Sequence, residues 1–443
     1  MTRTRLAAAA VGLGLLGQCV LAARTARAGG IVEHRYLLLL EIGLWAAVSG
    51  VTVLALLRLP RRVAVGLLLI GAVLVRLAAF SDKAPLSDDL YRYAWDGVVQ
   101  SQGIDPYRYP PEAPQLAPLR DVPGMEWIWP PEERGEVDQT RINRANVRTV
   151  YPPVAEAWFW LVHQVVPLEA RDRGYEGAGM LVDLAVLSAL LALLRSAGQD
   201  PRWAAVYALT PLPVLEAVQN AHVDVLGVLL VLGAVALERR GRVLPAAAVL
   251  ALAALVKVYP ALLFPLLVRR RPVGVVVVAA AVAVLAYLPH VLAVGADVVG
   301  YLPGYLAEER YGEGTRYLLV SLPGLRGLPA TVVVALGVGA VVGWALRTDR
   351  ALADAGARLL AGVFLLVTPV QPWYALLLVA LVALSGWWPG LAVAAAAYPL
   401  FFATILDGPG ELVGRLSYGA AAVVVAVSAA AAARRARRPA RPG

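Results

Sequence analysis

The chain has 443 residues, of which 59% are hydrophobic and only 16% charged, with a formal net charge of +9. A soluble globular domain carries about a quarter charged residues, so this composition excludes a water-soluble enzyme and predicts an all-α polytopic membrane protein. The basic surplus is arginine apart from Lys83 and Lys257, which in a membrane chain marks cytoplasmic loops rather than nucleic-acid binding, and the single cysteine, Cys19, excludes an internal disulfide.

Apolar runs at 6–23, 36–57 and 63–80 are each long enough to span a bilayer. The first is read as an uncleaved span, although Ala26-Arg27-Ala28 offers a signal-peptide cleavage point. Arg58, Arg61 and Arg62 fix the junction between the second and third runs as cytoplasmic, so residue 81 onward emerges outside. Arg76, late in the third run, is expected to snorkel outward.

Residues 81–150 are rich in Pro, Asp, Glu, Tyr and Trp and cannot lie in hydrocarbon. This external loop opens with Ser87-Asp88-Asp89-Leu90-Tyr91-Arg92-Tyr93-Ala94-Trp95-Asp96-Gly97. Adjacent carboxylates repel, which raises one pKa and leaves the other usable as a base. An acidic helix N-terminus followed by an interfacial aromatic belt is the alternative reading. The run 152–166 is short, opens with Pro152-Pro153 and carries Glu156 and His163. It is predicted to lie flat in the outer interface, because only then do the downstream arginine clusters all fall inside.

Spans follow at 179–194, 203–218 and 225–237, with Gln219-Asn220-Ala221-His222-Val223-Asp224 as an outer turn before the third. The run 243–255 breaks at Lys257-Val258-Tyr259-Pro260 and returns over 261–268 to Arg269-Arg270-Arg271. These helices must be short, with the lysine corner beside a polar cavity. A span at 273–288, a second external loop and spans at 329–346, 359–369, 374–384, 391–405 and 412–432 complete the set, and an arginine tail at 434–438 ends inside. The count is about fourteen spans with both termini cytoplasmic. The domain reading is N-terminal spans at 1–80, the first external loop with its interfacial helix at 81–178, central spans at 179–290, the second external loop at 291–327, and C-terminal spans with a basic tail at 328–443.

Four polar pieces thus share the outer side: Asp88/Asp89 with Arg92, Asn220/His222/Asp224, Lys257/Tyr259, and Gln371/Trp373/Tyr374. Charges at membrane depth are costly and are paired or line a wet cavity; a structural Asp224–Lys257 ion pair is one reading. There is no Gly-rich phosphate loop, Ser-His-Asp order, Cys/His metal cluster or dinucleotide fingerprint. An external carboxylate with cations and aromatics suits transfer of a sugar from a lipid-phosphate carrier, since aromatics stack on sugar faces and Arg or Lys neutralises the phosphate.

The pieces Asp88-Asp89-Leu90-Tyr91-Arg92-Tyr93, Trp95-Asp96-Gly97, Gly103-Ile104-Asp105-Pro106-Tyr107, Tyr151-Pro152-Pro153, Asn220-Ala221-His222-Val223-Asp224, Lys257-Val258-Tyr259-Pro260 and Gln371-Pro372-Trp373-Tyr374 occur in this order. In that series the chain resembles the membrane-embedded GT-C glycosyltransferases that use polyprenyl-phosphate sugars, and among them the bacterial polyprenol-phosphate-mannose-dependent alpha-mannosyltransferases. The resemblance implies the GT-C fold and, through its Asp-Leu-x-x-Tyr pattern, Asp89 as catalytic base with Asp88 as its pKa-shifting neighbour. It further implies that Arg92, Lys257, Tyr259, Asn220, His222, Asp224 and Arg316 hold the donor phosphate and sugar. Tyr91, Tyr93, Asp96, Tyr107, Gln371, Trp373 and Tyr374 would shape the sugar and acceptor sites.

No cofactor is required on this reading; Asp89 and Asp224 are the candidates for a divalent metal. The expected partners are a polyprenyl-phosphate sugar donor, a lipid-linked or polysaccharide acceptor and membrane lipids, with no nucleic acid. The expected place is the cell (inner) membrane with the site facing the periplasm or exterior. Left open are another lipid-phosphate donor such as an arabinofuranose, a protein acceptor, and, from another class, a transporter or flippase of lipid-linked sugar.

Overall fold

A computed structural model describes residues 2–28, 31–80, 86–130, 140–310 and 313–436, and among these all regular structure is helical. The chain divides into two units, Met1–Glu308 and Glu309–Gly443, a boundary that falls inside the segment read as the second external loop. Arg437 and Arg438 of the expected basic tail lie outside the described residues.

In the first unit α1 (Thr2–Arg27), α2 (Ile31–Leu56) and α3 (Arg61–Ala78) form an N-terminal group, with α1 packed on both of the others. The loop after α3 carries α4 (Asp89–Ser101) and, further on, α5 (Pro153–Val165). The long α6 (Arg171–Ser196) is followed by a series of short turns from Pro201 to Gln219 that ends in π-helical Val214–Gln219. Next come α7 (Asp224–Arg239), α8 (Val243–Ala254), α9 (Pro272–Val294) and α10 (Leu302–Glu308). The second unit holds α11 (Gly327–Arg347), α12 (Leu352–Val367), α13 (Ala375–Ser385), α14 (Pro389–Ile405) and α15 (Gly410–Ala436), each packed on the next along the chain.

Six helices among the described residues are long and apolar enough to cross a bilayer, and a seventh span forms if Pro211–Gln219 and Asp224–Arg239 are counted as one broken helix bent by 117°. Helix α9 shows how lipid-facing these are: only Val275 is buried, while Val276, Val277, Leu285 and Leu292 are exposed. The other apolar runs are shorter helices. Thus α8 has 12 residues, which at a rise of about 1.5 Å per residue covers only part of a hydrocarbon core of roughly 30 Å. A sum of apolar runs therefore overstates the number of full-length spans, because prolines at 201, 211, 213, 260 and 265 cut several runs into pieces.

Three arginines of the turns between helices, Arg202, Arg239 and Arg270, lie at one end of the first unit's helices. Arg202 donates to the carbonyls of Leu57 and Leu59 and pairs with Asp200, Arg239 donates to Leu193 O at 2.8 Å, and Arg270 pairs with Glu238 at 2.5 Å. Both α3 and α7 run between this basic end and the end that carries residues 86–93 and 220–224.

Arg76 does not snorkel. It is fully buried, paired with Asp183 of α6, and donates to the carbonyls of Ala72 and Ala208. Tyr207 donates to the other oxygen of Asp183 at 2.7 Å. A carboxylate on the facing helix gives the guanidinium a partner inside the unit, which replaces the route to the interface.

Breaking this pair leaves one buried charge without a partner, which costs about 3–5 kcal/mol, whereas replacing both partners by apolar groups costs much less. Arg76→Met alone is therefore expected to lower the unfolding temperature of the detergent-solubilised protein strongly, and Arg76→Met with Asp183→Leu to recover most of the loss, read by intrinsic tryptophan fluorescence on heating.

Candidate functional site

Helix α4 begins at Asp89, one residue after Asp88, so the Asp89 carboxyl sits in the first turn, where the helix dipole favours negative charge. The inward face of α4 packs on α5. Gly97 makes the contact close: a Cβ there would lie 2.7 Å from the carbonyl oxygen of Phe159. Tyr93 stacks on Phe159 with ring centroids 4.3 Å apart, and Tyr151 meets the Tyr93 ring edge-on at 5.1 Å.

The same interface buries a carboxyl pair. Arg92 forks onto both oxygens of Asp96 at 2.9 Å and donates to Val147 O. Glu156 accepts from Thr149 at 2.7 Å and from Gln100 at 3.0 Å. Burial and the neighbouring Asp96 push the Glu156 carboxyl well above its ordinary range, and burial raises Asp96 against the pull of Arg92. The protonated form of Glu156 is thus the favoured one beside Asp96.

Two chain breaks bring the remaining groups. The π-helical turn ends at Gln219, and Ala221 takes a left-handed φ of 50° before α7 starts. Gly179 of α6 allows this turn to approach, because a Cβ there would lie 2.1 Å from Ala217 O. Asn220 accepts from the Leu86 amide and donates to Glu216, both at 3.0 Å, which ties the turn to the chain just before Asp88. The second break follows α8. There Leu255 O receives the amides of Val154 and Ala155, so the first turn of α5 caps the broken end of α8 and seats Lys257 beside it.

Asp89 is the meeting point. Tyr151 donates to its Oδ2 at 3.1 Å and Asn143 to its Oδ1 at 3.0 Å, while Tyr93 Oη stands 3.5 Å and His222 Nδ1 3.7 Å from Oδ2. His222 in turn faces Glu216 at 3.4 Å. Lys257 Nζ lies 3.8 Å from Asp224 and 4.8 Å above the Tyr151 ring centre, and Tyr259 is hydrogen-bonded to Asp224. Burial would push the Asp89 carboxyl up, but His222, Lys257 and the bonds from Asn143 and Tyr151 outweigh it and hold it below the ordinary carboxylate range. Asp88 moves the other way, raised by burial and by Asp89. The Asp89 side chain remains 17% exposed, so the anion is reachable. A small crevice lined by Tyr93, Trp158, Phe159, Tyr175 and His222 adjoins two of these side chains, Tyr93 and His222.

Of the residues singled out in the sequence, Asp88, Asp89, Tyr93, Asn220, His222, Asp224, Lys257 and Tyr259 come together in this way. Four do not. Arg92 and Asp96 consume one another in the α4–α5 core, where an i,i+4 pair on one helix forms before either can reach a ligand. Tyr91 packs against Trp127, and Tyr107 is buried with its hydroxyl on Tyr151 O at 2.7 Å. Arg316, Gln371, Trp373 and Tyr374 belong to the second unit. There Arg316 and Gln371 both bind Glu309, at 2.8 and 2.6 Å, and Trp373 packs against Tyr374 and Phe401. Among the described residues no group of three or more His, Cys, Asp or Glu is disposed to hold a metal ion, and the Asp224 carboxylate already faces the Lys257 ammonium. Asn143 was not expected; nothing in a loop asparagine's neighbours signals its partner. Tyr151 did stand in the Tyr-Pro-Pro motif before α5.

Residues 149–369 match the model of glycosyltransferase family 87. The matched stretch takes in Tyr151, His222, Asp224 and Lys257 and begins after Asp89. It indicates a membrane glycosyltransferase. No curated protein and no solved structure matches the chain.

Glu156 lies within the matched stretch and supplies a test by pH. Its ordinary pKa is about 4.3, so above that value the folded protein binds a proton that the unfolded chain releases. Stability from this group is fully present below that pKa and falls as pH rises toward the raised folded value. Glu156→Gln removes the titration, and its amide oxygen can still accept the hydrogen bond from Thr149. Between pH 5 and 8 the unaltered protein is expected to lose stability relative to the variant as pH rises, by up to about 1.4 kcal/mol per pH unit, read as a falling unfolding temperature in parallel thermal melts.

Proposed function

We propose that this membrane glycosyltransferase is an inverting enzyme that moves a sugar, mannose in the reading the motif series favours, from a polyprenyl-phosphate donor to a hydroxyl of a glycan or glycolipid acceptor. The observation that carries the reading is the convergence of Asp89, Tyr151, His222 and Lys257 on one reachable carboxylate. In the proposed step Asp89 takes the proton of the acceptor hydroxyl as the acceptor's own oxygen attacks the anomeric carbon. The bond from the anomeric carbon to the phosphate oxygen breaks, and its electron pair leaves on the phosphate beside Lys257. Attack from the face opposite the phosphate inverts the centre, so a beta-linked donor gives an alpha-linked product.

The electrostatics support these roles. A phosphate monoester leaves as a stable anion, so no general acid is needed and one base suffices. A carboxyl held below its ordinary range is ionised at rest and ready to accept a proton, though as a weak base. The donor phosphate would partly neutralise Lys257, the cation that depresses the carboxyl, and so raise the proton affinity of Asp89 once the complex has formed. The gathering of Arg202, Arg239 and Arg270 at the opposite end of the same helices supports an orientation with this site outside and the basic end in the cytoplasm.

Membranes holding the protein, supplied with a panel of radiolabelled polyprenyl-phosphate sugars, are expected to transfer one of them. Asp89→Asn should lower kcat/KM by about 10²–10⁴-fold, the usual worth of a positioned base; transfer at the original rate would remove the role. The pH profile of kcat/KM, which reports the free enzyme, should show no acid limb from Asp89 above about pH 4. That of kcat, which reports the complex, should show its limb at higher pH.

A further inference from the structure

The proposed site has more carboxylates than cations. Asp89 and Asp224 share Lys257, which faces Asp224 and, through Tyr151, Asp89, while Asp88 beside them is offset by Arg141. An entering phosphate would add negative charge to this group. The arginine that sequence spacing offered for it, Arg92, is buried on Asp96. Another cation must face the site.

The loop segment over Asp89 supplies one. Ile142 and Ala145 are buried anchors of this segment, the Arg141 amide donates to Ile128 O and the Glu112 amide to Ala145 O, and between them Asn143 donates to Asp89 Oδ1 at 3.0 Å. The next residue, Arg144, has φ 54°, a left-handed conformation that a non-glycine residue adopts at a cost and that recurs at functional sites. Its side chain is 47% exposed and close enough to Asp89 to interact electrostatically with it. Among the described residues its guanidinium is held by Glu308 Oε2, 2.7 Å from Nε, at the end of α10. Tyr301 also donates to Glu308. Tyr301 takes the Thr149 carbonyl through its amide, and Gly300, with φ 56°, lies so close that a Cβ would stand 2.0 Å from that oxygen. Helix α10 is therefore hinged beside Tyr151 and its far end holds the guanidinium through an exposed glutamate.

We propose that Arg144 is a donor-phosphate ligand and that Glu308 is its resting partner, exchanged for the phosphate when donor binds. The inference rests on the lipid-phosphate donor proposed above. Exposed Arg–carboxylate pairs are weak, so the exchange for a doubly chelated phosphate is favourable. Arg144 pairs with an acid in the empty site for the same reason it would pair with the ligand.

The test uses the full chain in lipid nanodiscs and titrates undecaprenyl monophosphate, with uncharged undecaprenol as the control. Arg144→Gln should weaken binding of the phosphate roughly tenfold or more, the worth of one charge-assisted bond, and leave undecaprenol unchanged. Glu308→Gln, which removes only the competitor, should tighten phosphate binding severalfold and lower the donor KM. The exchanged pair Arg144→Glu with Glu308→Arg separates a ligand from a latch: it rebuilds the ion pair but should not restore phosphate binding. Restored binding in the exchanged pair, or unaltered binding in both single variants, overturns the proposal. If no sugar is transferred from any donor while the binding pattern holds, the donor reaction fails and the anion site stands; if sugar is transferred and Arg144→Gln binds the phosphate normally, this inference alone fails.

Discussion

An ionised carboxylate largely withdrawn from water has to be met by donors and cations, and the shape of the first unit follows from meeting that demand at Asp89. Each partner comes from a different stretch: Tyr151 from the entry to α5, Asn143 from the loop above it, His222 from a turn in a broken helix, Lys257 from the end of a short one. No continuous helix could bring four such groups to one point. The breaks do so, and each creates free backbone groups that must be satisfied in turn. At Leu255 the solution is visible, since a helix that stops early offers a carbonyl and the helix starting beside it offers two amides. Lys257 is held next to the carboxylate by main-chain bonds that owe nothing to its own charge.

The same constraint separates the two buried ion clusters of this unit. Arg76 and Asp183 lie on long, unbroken helices and satisfy one another with Tyr207, closed to solvent on every side. Around Asp89 the helices are interrupted, the side chain stays partly exposed, and the cations outnumber neither the acids present nor any that arrive. A closed cluster serves packing. An open one with its charges unbalanced has room for a ligand's, and that difference, more than residue type, marks which polar group in a membrane bundle carries chemistry.

Much of this arrangement could be read in the sequence. Apolar runs located the long helices, and the turn at 219–224 and the corner at 257–260 stood out as polar interruptions that hydrocarbon would not tolerate. Hydropathy could not tell a full span from a proline-cut fragment, so the run 203–218, a single span by composition, is a chain of short turns. The fate of Arg92 was legible and outweighed by its neighbours: Asp96 follows four residues later on the same helix, a spacing that pairs the two. The match of Arg76 to Asp183 across 107 positions, by contrast, depends on how α3 meets α6, which no local pattern encodes. Asn143 and Arg144 belong to the same class, loop residues whose roles arise only when Ile142 and Ala145 find their places in the core.

Helix α4 shows how one short element can hold carboxyls in opposite states. Asp89 stands at its first turn, where free amides, a lysine and two hydrogen-bond donors favour the charged form. Asp96 lies two turns on, facing Glu156 across a dry interface with one arginine for two acids, so a proton must be retained there. Reversing either environment would defeat the element: a protonated Asp89 could accept nothing, and a doubly ionised Asp96–Glu156 pair would push α4 from α5 and carry Tyr93 off Phe159. The packing of α4 on α5 holds Tyr93 and Tyr151 against the Asp89 carboxylate. Neutrality at one end of α4 and charge at the other are two parts of a single device.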